Sequence, residues 1–469
     1  MSVFVLMGRK IRPALLGLFL IIVFVFGYAT TEARAQTLTD ALAAAYLNNP
    51  TLLAARASLR ATDESVPQAL ANWRPDVSVT GDIGFSKVEN TRNSGSDVDQ
   101  TRQPKSFGIE VTQPLFRGGR TLAATAEAEN SIRSKRAQLM ATEQTVLQDG
   151  VTAFMNVFRD QAVLKLNINN EQVLKRQLEA TRDRFEVGEI TRTDVHQAEA
   201  RLARAVADRI QSEGDLEASR ASYQNVVGEP ARGNLQLPAN PVNLPETKAD
   251  ALKRASTRNP DIIGAEFDRR AALDNADEVL GELLPEVEAK ASWTRDFQSA
   301  GESGQTTTAA VSLNVTIPIY QQGAVYSRLR EARQDAAEAA LLIDQKRRNA
   351  VEAATQAWES LLTARARVQA FNTQIEANTI ALEGVQREAA VGSRTVLDVL
   401  DAEQELLDSR VAAVRAQRDE AVTTYQLLSA IGRLTARDLE LPVTRYDPRE
   451  HYKQVRGKWF GGRSQGGAK

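Results

Sequence analysis

Two aspartates that lie three residues apart are the clearest candidates for chemistry in this sequence. Asp398 and Asp401 occur in the stretch VGSRTVLDVLDAEQEL, residues 391–406. Carboxylates at positions i and i+3 share one face of a helix, where their like charges repel. The pair therefore fits three interpretations: an acid–base pair, part of a metal site, or two acids on a solvated helix face.

The composition of the chain argues against an enzyme. The 469 residues include no cysteine and only two histidines, His196 and His451. Without cysteine there are no disulfides, thiolate metal sites or cysteine nucleophiles, and His196 is interpreted as an ordinary surface residue. The formal net charge of −2 gives no basic field for nucleic acid. We therefore expect no catalytic activity, no cofactor, no metal and no nucleic-acid partner.

Residues 1–35 predict an export signal. Basic residues precede an apolar core at residues 14–28, and Ala-Arg-Ala at 33–35 forms a small-residue cleavage site. The apolar core is shorter than the roughly 20 residues of a membrane-spanning helix. An uncleaved membrane anchor is the alternative interpretation.

The rest of the sequence contains a tandem duplication. A shift of 204 residues carries Gly188 to Gly392, and it aligns GEITRTDVHQAEARL with GSRTVLDVLDAEQEL. The same shift aligns QPLFRGG, from residue 113, with IPIYQQG, from residue 317. Shared spacing at many landmarks indicates two copies of one structural unit. The predicted parts are a first repeat at 36–228, a linker at 229–247, a second repeat at 248–432, and a C-terminal segment at 433–469 that is disordered from about residue 446.

Each repeat contains one predicted β-hairpin, because apolar and polar residues alternate along two runs. In the first run Val77, Val79 and Ile83 share the apolar face. Runs of about ten alternating residues have the length of a tilted transmembrane strand. The hairpins are predicted at 75–115 and 285–319, with loops at the polar, turn-rich stretches 87–104 and 296–308.

The remainder of each repeat is predicted to be helical. Short helices at 38–72 and 248–282 lead the repeats, and long helical hairpins at 118–228 and 322–432 follow the strands. The first helix of each hairpin has about 67 residues without proline, or about 100 Å at 1.5 Å per residue. A helix of this length must pack against neighbours throughout, as in a coiled coil. The hairpin tips are predicted to use Gly188 and Gly392 as helix ends, and Thr193 or Asp194, and Thr395, as caps of the next helices.

Four membrane-length strands cannot close a barrel on their own. In lipid every backbone group needs a partner, so a sheet must close without a free edge. Single-chain barrels begin at eight strands, so several copies of this chain must share one barrel, and three copies would supply twelve strands. An exported chain of this kind belongs in a bacterial outer membrane. A soluble sandwich of the two hairpins is the alternative.

The duplicated layout, with QPLFRGGR, IPIYQQG and VGSRTVLDVLDAEQEL, resembles the TolC-like outer membrane factors over residues 36–445. The fold expected from this resemblance is an α+β membrane protein, a homotrimer whose twelve-stranded β-barrel lies in the outer membrane of a Gram-negative bacterium. A twelve-helix α-barrel, made of the tandem coiled-coil hairpins, would continue across the periplasm. The family implies an exit duct for type I protein secretion or drug efflux. The implied partners are a periplasmic adaptor protein and an inner-membrane ABC or proton-driven transporter.

The resemblance also implies roles for residues at the hairpin tips. Asp398 and Asp401 would project into the pore and form an acidic ring at the periplasmic entrance. Arg394 would bond to Asp194 of the first tip and help to hold the entrance shut, although a tyrosine that assists closure in this family is replaced by Ala389. The tip residues expected to dock the adaptor are Gly188, Thr191, Gly392 and Thr395.

Two alternatives and one open question accompany this interpretation. A periplasmic coiled-coil adaptor would explain the helices but not the four amphipathic strands. A solvated helix face would explain Asp398 and Asp401 without any ring, although only the second tip carries both acids, since Gln197 occupies the position equivalent to Asp401. The cargo is not identified, and QPLFRGG together with the absence of a lipid-anchoring cysteine favours the protein-secretion branch.

Overall fold

The computed structural model describes residues 36–90, 98–238, 244–299 and 304–462. The predicted export signal at residues 1–35 lies outside the described residues. Within the described ranges, no helix is both long enough and apolar enough to cross a membrane.

The chain folds into paired helices and a small sheet. The helices are α1 (Leu38–Asn48), α2 (Pro50–Asp63), α3 (Ser65–Ala71), α4 (Arg120–Glu186), α5 (Arg192–Val227), α6 (Lys248–Arg258), α7 (Pro260–Gly281), α8 (Ala324–Ala390), α9 (Val396–Ala430) and α10 (Glu450–Val455). The strands are β1 (Asp76–Ile83), β2 (Ser86–Asn90), β3 (Val98–Arg102), β4 (Lys105–Arg117), β5 (Glu286–Phe297) and β6 (Gln305–Thr316).

The long helices form two hairpins that lie side by side. Helices α4 and α8 have 67 residues each, which corresponds to about 100 Å. Helix α4 packs against α5, α8 packs against α9, and α9 also packs against α4. Beyond the C-terminal ends of α5 and α9, helix α4 packs instead against the short helices α1–α3 and α7. The main apolar core lies at this junction and includes the fully buried Leu147, Phe154 and Tyr223.

The short leading helices are broken, whereas the sequence predicted one helix in each repeat. One break in each repeat falls at an Asn-Pro pair, where Asn49 caps α2 and Asn259 caps α7, and the first repeat has a further break at Glu64, between α2 and α3. Asparagine accepts hydrogen bonds from the first free N–H groups of a helix, and proline fits the first helical turn but not a helix interior. The amide of Asn49 also donates to the Val226 carbonyl at 2.9 Å. The break therefore joins the short helices to the end of α5.

Four strands form one antiparallel sheet in the order β1-β4-β5-β6. The register places Val79 opposite Ile109, Ile109 opposite Trp293, and Trp293 opposite Ala309. Paired residues of an antiparallel sheet share a face, so apolar rows form on one side. On the other side Lys290 pairs with Glu110 at 3.0 Å. Strands β1 and β6 each have one neighbour within the described part of the chain, which leaves two open edges.

Two predicted irregular segments contain secondary structure. The stretch 87–104, predicted to be a loop, contributes most of a β2–β3 ribbon that continues the first hairpin beyond β1 and β4. Backbone pairing extends there because a ladder needs only N–H and C=O groups, which polar residues also supply. The prediction of disorder from residue 446 is wrong for the part that the structure describes, since α10 packs on α2. His451 of α10 lies 3.1 Å from the buried Asp63 carboxylate.

Candidate functional site: the helix tips

Both hairpin tips have the same backbone geometry. At the first tip the N–H of Gly188 donates to the Phe185 carbonyl and the N–H of Glu189 donates to the Arg184 carbonyl. Gly392 and Ser393 repeat these two bonds at the second tip. This bonding pattern requires a left-handed residue just past the helix end. Gly188 and Gly392 have φ values of 78° and 80°, respectively, which glycine adopts without strain.

The next helices begin with matched capping boxes. The backbone N–H and the hydroxyl of Thr395 donate to the Asp398 carboxylate, each at 2.8 Å, and the N–H of Asp398 donates back to the Thr395 hydroxyl at 3.2 Å. Thr191 and Asp194 make the same three bonds at the first tip. Thr395 was predicted as a cap, but Thr191 caps α5 where Thr193 or Asp194 was expected. Asp194 and Asp398 therefore each have a structural function at a helix N-terminus.

The capping bonds act on the charge of Asp398. Hydrogen bonds from the backbone and the hydroxyl of Thr395, with a smaller contribution from the nearby Arg394 guanidinium, lower the pKa of this carboxyl below its ordinary value of 3.8. Hydrogen bonds that favour the charged form of an acid keep it ionised. Asp398 is thus a permanent negative charge at neutral pH.

Asp401 contacts the other hairpin. Its Oδ1 accepts a hydrogen bond from Nη2 of Arg201 on α5, at 2.5 Å. The arginine is about one-quarter exposed and the aspartate is more than half exposed. This ion pair joins residues from the two repeats and connects the tip of one hairpin to the tip of the other. Sequence reasoning missed Arg201, although it lies two helical turns after Asp194 on the same face of α5.

The predicted contact between Arg394 and Asp194 is not present within one chain. The Nε of Arg394 instead donates to Glu388 at 2.9 Å, while Asp194 is engaged by Thr191. The first tip has a related ion pair, in which Arg184 donates to Glu189 at 3.0 Å. Arg184 and Glu388 occupy equivalent positions of the two repeats and carry opposite charges, while their partners, Glu189 and Arg394, are one position apart in the repeat alignment.

A small apolar cluster lies next to the tips. Its buried residues come from both hairpins: Leu174, Leu178, Val195, Ala198, Ala205, Val396 and Leu400. Burying a large aliphatic side chain contributes about 1.5–3 kcal/mol. The cluster and the Arg201–Asp401 pair together hold the two hairpins against each other.

The outermost surface of the tips is open and carries one exposed apolar side chain on each hairpin. Val187 is 72% exposed and Val391 is 81% exposed, and they occupy equivalent positions next to the two tip glycines. A side-chain carbon added at Gly188 or Gly392 would meet no atom within 4 Å. Among the described residues there is no group of three or more acidic or histidine side chains that could hold a metal ion.

Comparison with known proteins assigns the fold to a family. The family described as outer membrane efflux protein matches residues 41–229 and 251–433. The chain belongs to this family. The outer membrane efflux protein BepC of Brucella suis is 36% identical over 437 residues, which cover 93% of this chain and 94% of BepC. Outer membrane protein TolC of Escherichia coli is 24% identical over 447 residues, which cover 92% of this chain and 88% of TolC.

Solved structures agree on the fold. The CmeC outer membrane channel of Campylobacter jejuni superposes with a TM-score of 0.74 at 14% identity, covering 90% of this chain and 89% of CmeC. VceC of Vibrio cholerae gives a TM-score of 0.71 at 20% identity, covering 84% of this chain and 96% of VceC. At these identities the likeness concerns the fold alone.

Family membership decides the broad function. The chain is an outer membrane channel of the kind that serves efflux and type I secretion, and it extends from the outer membrane of a Gram-negative bacterium into the periplasm. This confirms the resemblance, the export function and the location predicted from the sequence. It excludes the soluble sandwich and the periplasmic adaptor. The family consists of efflux channels rather than enzymes.

Proposed function

We propose that three copies of this chain form one tunnel, with a twelve-stranded barrel in the outer membrane and a twelve-helix barrel in the periplasm. The observation that carries the proposal is the four-stranded sheet with open edges at β1 and β6. An unpaired edge in lipid leaves backbone groups without hydrogen bonds. Pairing β6 of one copy with β1 of the next removes both edges, and three copies close the ring.

The two faces of the sheet support this arrangement. Val79, Val311 and Leu313 are each more than half exposed in the single chain, and they belong to the apolar face that would contact lipid. The opposite face carries the Lys290–Glu110 pair, which suits a water-filled lumen. Alternation of lipid-facing apolar and lumen-facing polar residues is the pattern of an outer membrane barrel.

The helical part of the chain supplies four columns to the periplasmic tunnel. Two columns are the continuous helices α4 and α8. The others are α5 stacked end to end with α1–α3, and α9 stacked with α7. Three chains side by side give twelve columns, and the hairpin tips form the periplasmic entrance.

At the entrance the charges of the second tip would meet around one axis. Asp398 and Asp401 from three chains would form an acidic ring that attracts cations and repels anions. The Arg201–Asp401 pair of each chain would hold the entrance narrow, because opening requires the two hairpins to separate. Arg394 and Asp194, which are apart within one chain, would meet between neighbouring chains of the closed trimer.

The partners follow from the tips and from the relatives. The exposed surface around Gly188, Thr191, Gly392 and Thr395, with Val187 and Val391, suits a periplasmic adaptor, which would connect the tunnel to an inner-membrane ABC or proton-driven transporter. Relatives include PrtF of Dickeya chrysanthemi, named as a protease secretion protein, and OpmQ of Pseudomonas aeruginosa, named for pyoverdine export. The cargo of this chain is accordingly a secreted protein, a small molecule or both.

Disulfide cross-linking tests the shared barrel. The chain has no cysteine, so an introduced pair reports only on itself. Val79→Cys on β1 is combined with single cysteines along β6, and outer membranes are oxidised and separated without reductant. We expect covalently linked trimers for at least one β6 position. Ile109→Cys on the inner strand β4 is the matched control and should give no linkage between chains. Only monomers at every β6 position would contradict the shared barrel.

Deletion of the protein tests the cargo. The secreted proteins of the deletion strain are compared with those of the parent, and sensitivity to drugs and bile salts is measured in parallel. Loss of specific secreted proteins with unchanged drug sensitivity would assign the channel to protein secretion. Raised drug sensitivity with an unchanged set of secreted proteins would assign it to efflux. No change in either would contradict the proposed export function.

A further inference from the structure

A cleft of about 810 Å³ lies far from the tips, where the short helices meet the long ones. Its walls are formed by α1 and α2, by residues 133–143 of α4, by residues 263–270 of α7, and by residues 432–449 of the C-terminal segment. The export mechanism proposed above makes no use of this cleft. Its volume is in the range of small-ligand sites.

The cleft is strongly basic. Seven arginines and two acids line it. Both acids are engaged by the protein: Glu143 accepts a hydrogen bond from the Ala436 N–H at 2.7 Å, and Asp438 accepts from Arg433 and from the Thr435 hydroxyl. Burial also raises the pKa of Glu143. The lining therefore keeps a large excess of positive charge.

Four of the arginines have exposed side chains and no ion pair among the described residues: Arg270, Arg437, Arg445 and Arg449. Two others are partly neutralised, since Arg133 lies 3.7 Å from Glu129 and Arg136 lies 3.9 Å from Asp63. The free guanidinium groups come from α7 and from the C-terminal segment, on different sides of the cleft. They are thus placed to contact one ligand from several directions.

The seventh arginine forms a fixed part of the cleft. Arg56 is 9% exposed, and its Nη2 donates to the Tyr46 carbonyl at 3.1 Å. The guanidinium lies over the rings of Tyr46 and Tyr446, at 4.4 and 5.3 Å from their centroids. Stacking on aromatic rings holds an arginine in place without neutralising it. The Glu143 carboxylate interacts electrostatically with this guanidinium, so Arg56 serves mainly as a rigid wall of the cleft.

We propose that this cleft binds an anion that carries two or more phosphate or carboxylate groups. Guanidinium groups bind both chemistries through paired, charge-assisted hydrogen bonds. The cleft centres on α4, which has neighbours from its own chain on both sides. In the proposed trimer, neighbouring chains would pair through β1 and β6 and through the helices at the two edges of each chain. The cleft would therefore stay open. The proposal takes the access to the cleft from the proposed trimer, but it does not depend on export activity, since it concerns binding to the folded protein.

Calorimetric titration of the full chain in detergent tests the site. Sodium pyrophosphate is the phosphate probe and sodium citrate is the carboxylate probe, both at constant ionic strength because exposed charges are screened by salt. We expect one saturable site per chain for at least one probe. The probe that binds identifies the ligand chemistry, and saturable binding of neither probe would overturn the proposal.

Charge variants separate this site from general attraction to a basic surface. Arg437→Gln with Arg445→Gln removes two of the free guanidinium groups and should weaken binding at least about tenfold, since charge-assisted hydrogen bonds are among the strong ones. Arg330→Gln with Arg333→Gln removes the same charge from exposed positions of α8 and should leave the affinity unchanged. Arg437→Lys with Arg445→Lys keeps the charge and should retain part of the affinity. Equal weakening by the α8 pair, or none by the cleft pair, would contradict the site. Circular dichroism and trimer content confirm that each variant is folded.

Discussion

The two helix tips of this chain share one backbone and differ in their charges. Each tip turns through a left-handed glycine, Gly188 or Gly392, and starts its next helix with a threonine–aspartate capping box. The second tip adds Asp401, where the first has Gln197. Duplication has therefore kept the residues that build the turn, while Asp401, which contacts the other hairpin, has no counterpart at the first tip.

The divergence concerns which partner each tip acid has. Asp194 and Asp398 are held by the threonine of their own tip, so they are part of the local fold. Asp401 is held by Arg201 of the other hairpin, so its charge depends on how the hairpins are placed. Although Asp398 and Asp401 are close in sequence, Asp398 caps its own helix and Asp401 joins the two hairpins.

Reversing the charge of Asp401 should have the largest effect. In Asp401→Lys the new cation faces Arg201, so all three inter-hairpin pairs of the proposed trimer become repulsive. We expect the resting conductance in planar bilayers to rise about tenfold, because three modest ion pairs are lost together. Gln197→Lys introduces a lysine at the equivalent place of the first tip, where there is no ion pair to reverse, and should have no effect. Exchanging the pair, as Arg201→Asp with Asp401→Arg, should restore the low conductance, and failure to do so would show that the pair does not hold the hairpins.

Replacing the tip glycines should have the next largest effect, and it should be equal at the two tips. Gly188→Ala and Gly392→Ala each force a side chain into a left-handed conformation, which costs about 1–2 kcal/mol. Hydrogen exchange of the tip amides should show the free energy of local opening lowered by that amount. Gly384→Ala, within α8, should instead strengthen its helix. Unequal losses at the two tips would contradict the shared backbone.

Removing the caps should cost less and again affect both tips alike. Thr191→Ala and Thr395→Ala each delete the hydroxyl that accepts from the third residue of the helix, a loss of about 1 kcal/mol. The same hydrogen-exchange measurement reports it, and Thr→Ser at either position serves as the control that keeps the hydroxyl. A large loss at Thr395 alone would indicate that its hydroxyl has a further partner at the entrance.

Replacing Arg394 should have the smallest effect on the resting conductance. It tests whether Arg394 pairs with Glu388 of its own chain or with Asp194 of a neighbouring chain. Its exposed pair with Glu388 contributes little within one chain, so Glu388→Gln should leave the resting conductance unchanged. If Arg394 meets Asp194 of a neighbouring chain, Arg394→Gln should raise the conductance about twofold to threefold, the range expected for a modest pair. An equal resting conductance for Arg394→Gln and Glu388→Gln would contradict a contact between Arg394 and Asp194.

Local sequence pattern predicted much of this fold. Period-two alternation around Val77 and Val79 indicated strands, and the absence of proline indicated the long helices. The Asn-Pro pairs at residues 49–50 and 259–260 also carried a local signal, a cap followed by a first-turn proline, that should have predicted the helix breaks at these two places. Threonine three residues before aspartate likewise signalled both capping boxes.

What the sequence did not reveal depends on how distant segments pack. The contact between Arg201 and Asp401 joins different repeats at positions that are not equivalent, so no repeat alignment predicts it. The helix α10 is stabilised by the burial of His451 against Asp63, and the composition of a polar tail gives no sign of that partner. Both contacts are set by the arrangement of whole hairpins and short helices rather than by neighbours along the chain.

The ion selectivity of the channel tests the acidic entrance most directly. Reversal potentials are measured in planar bilayers under a salt gradient for the unaltered protein, for Asp398→Asn with Asp401→Asn, and for Arg201→Gln. We predict that removing the acids weakens the preference for cations, whereas Arg201→Gln, which leaves Asp401 without its partner, strengthens it. An unchanged reversal potential in the variant without the acids would contradict the ring.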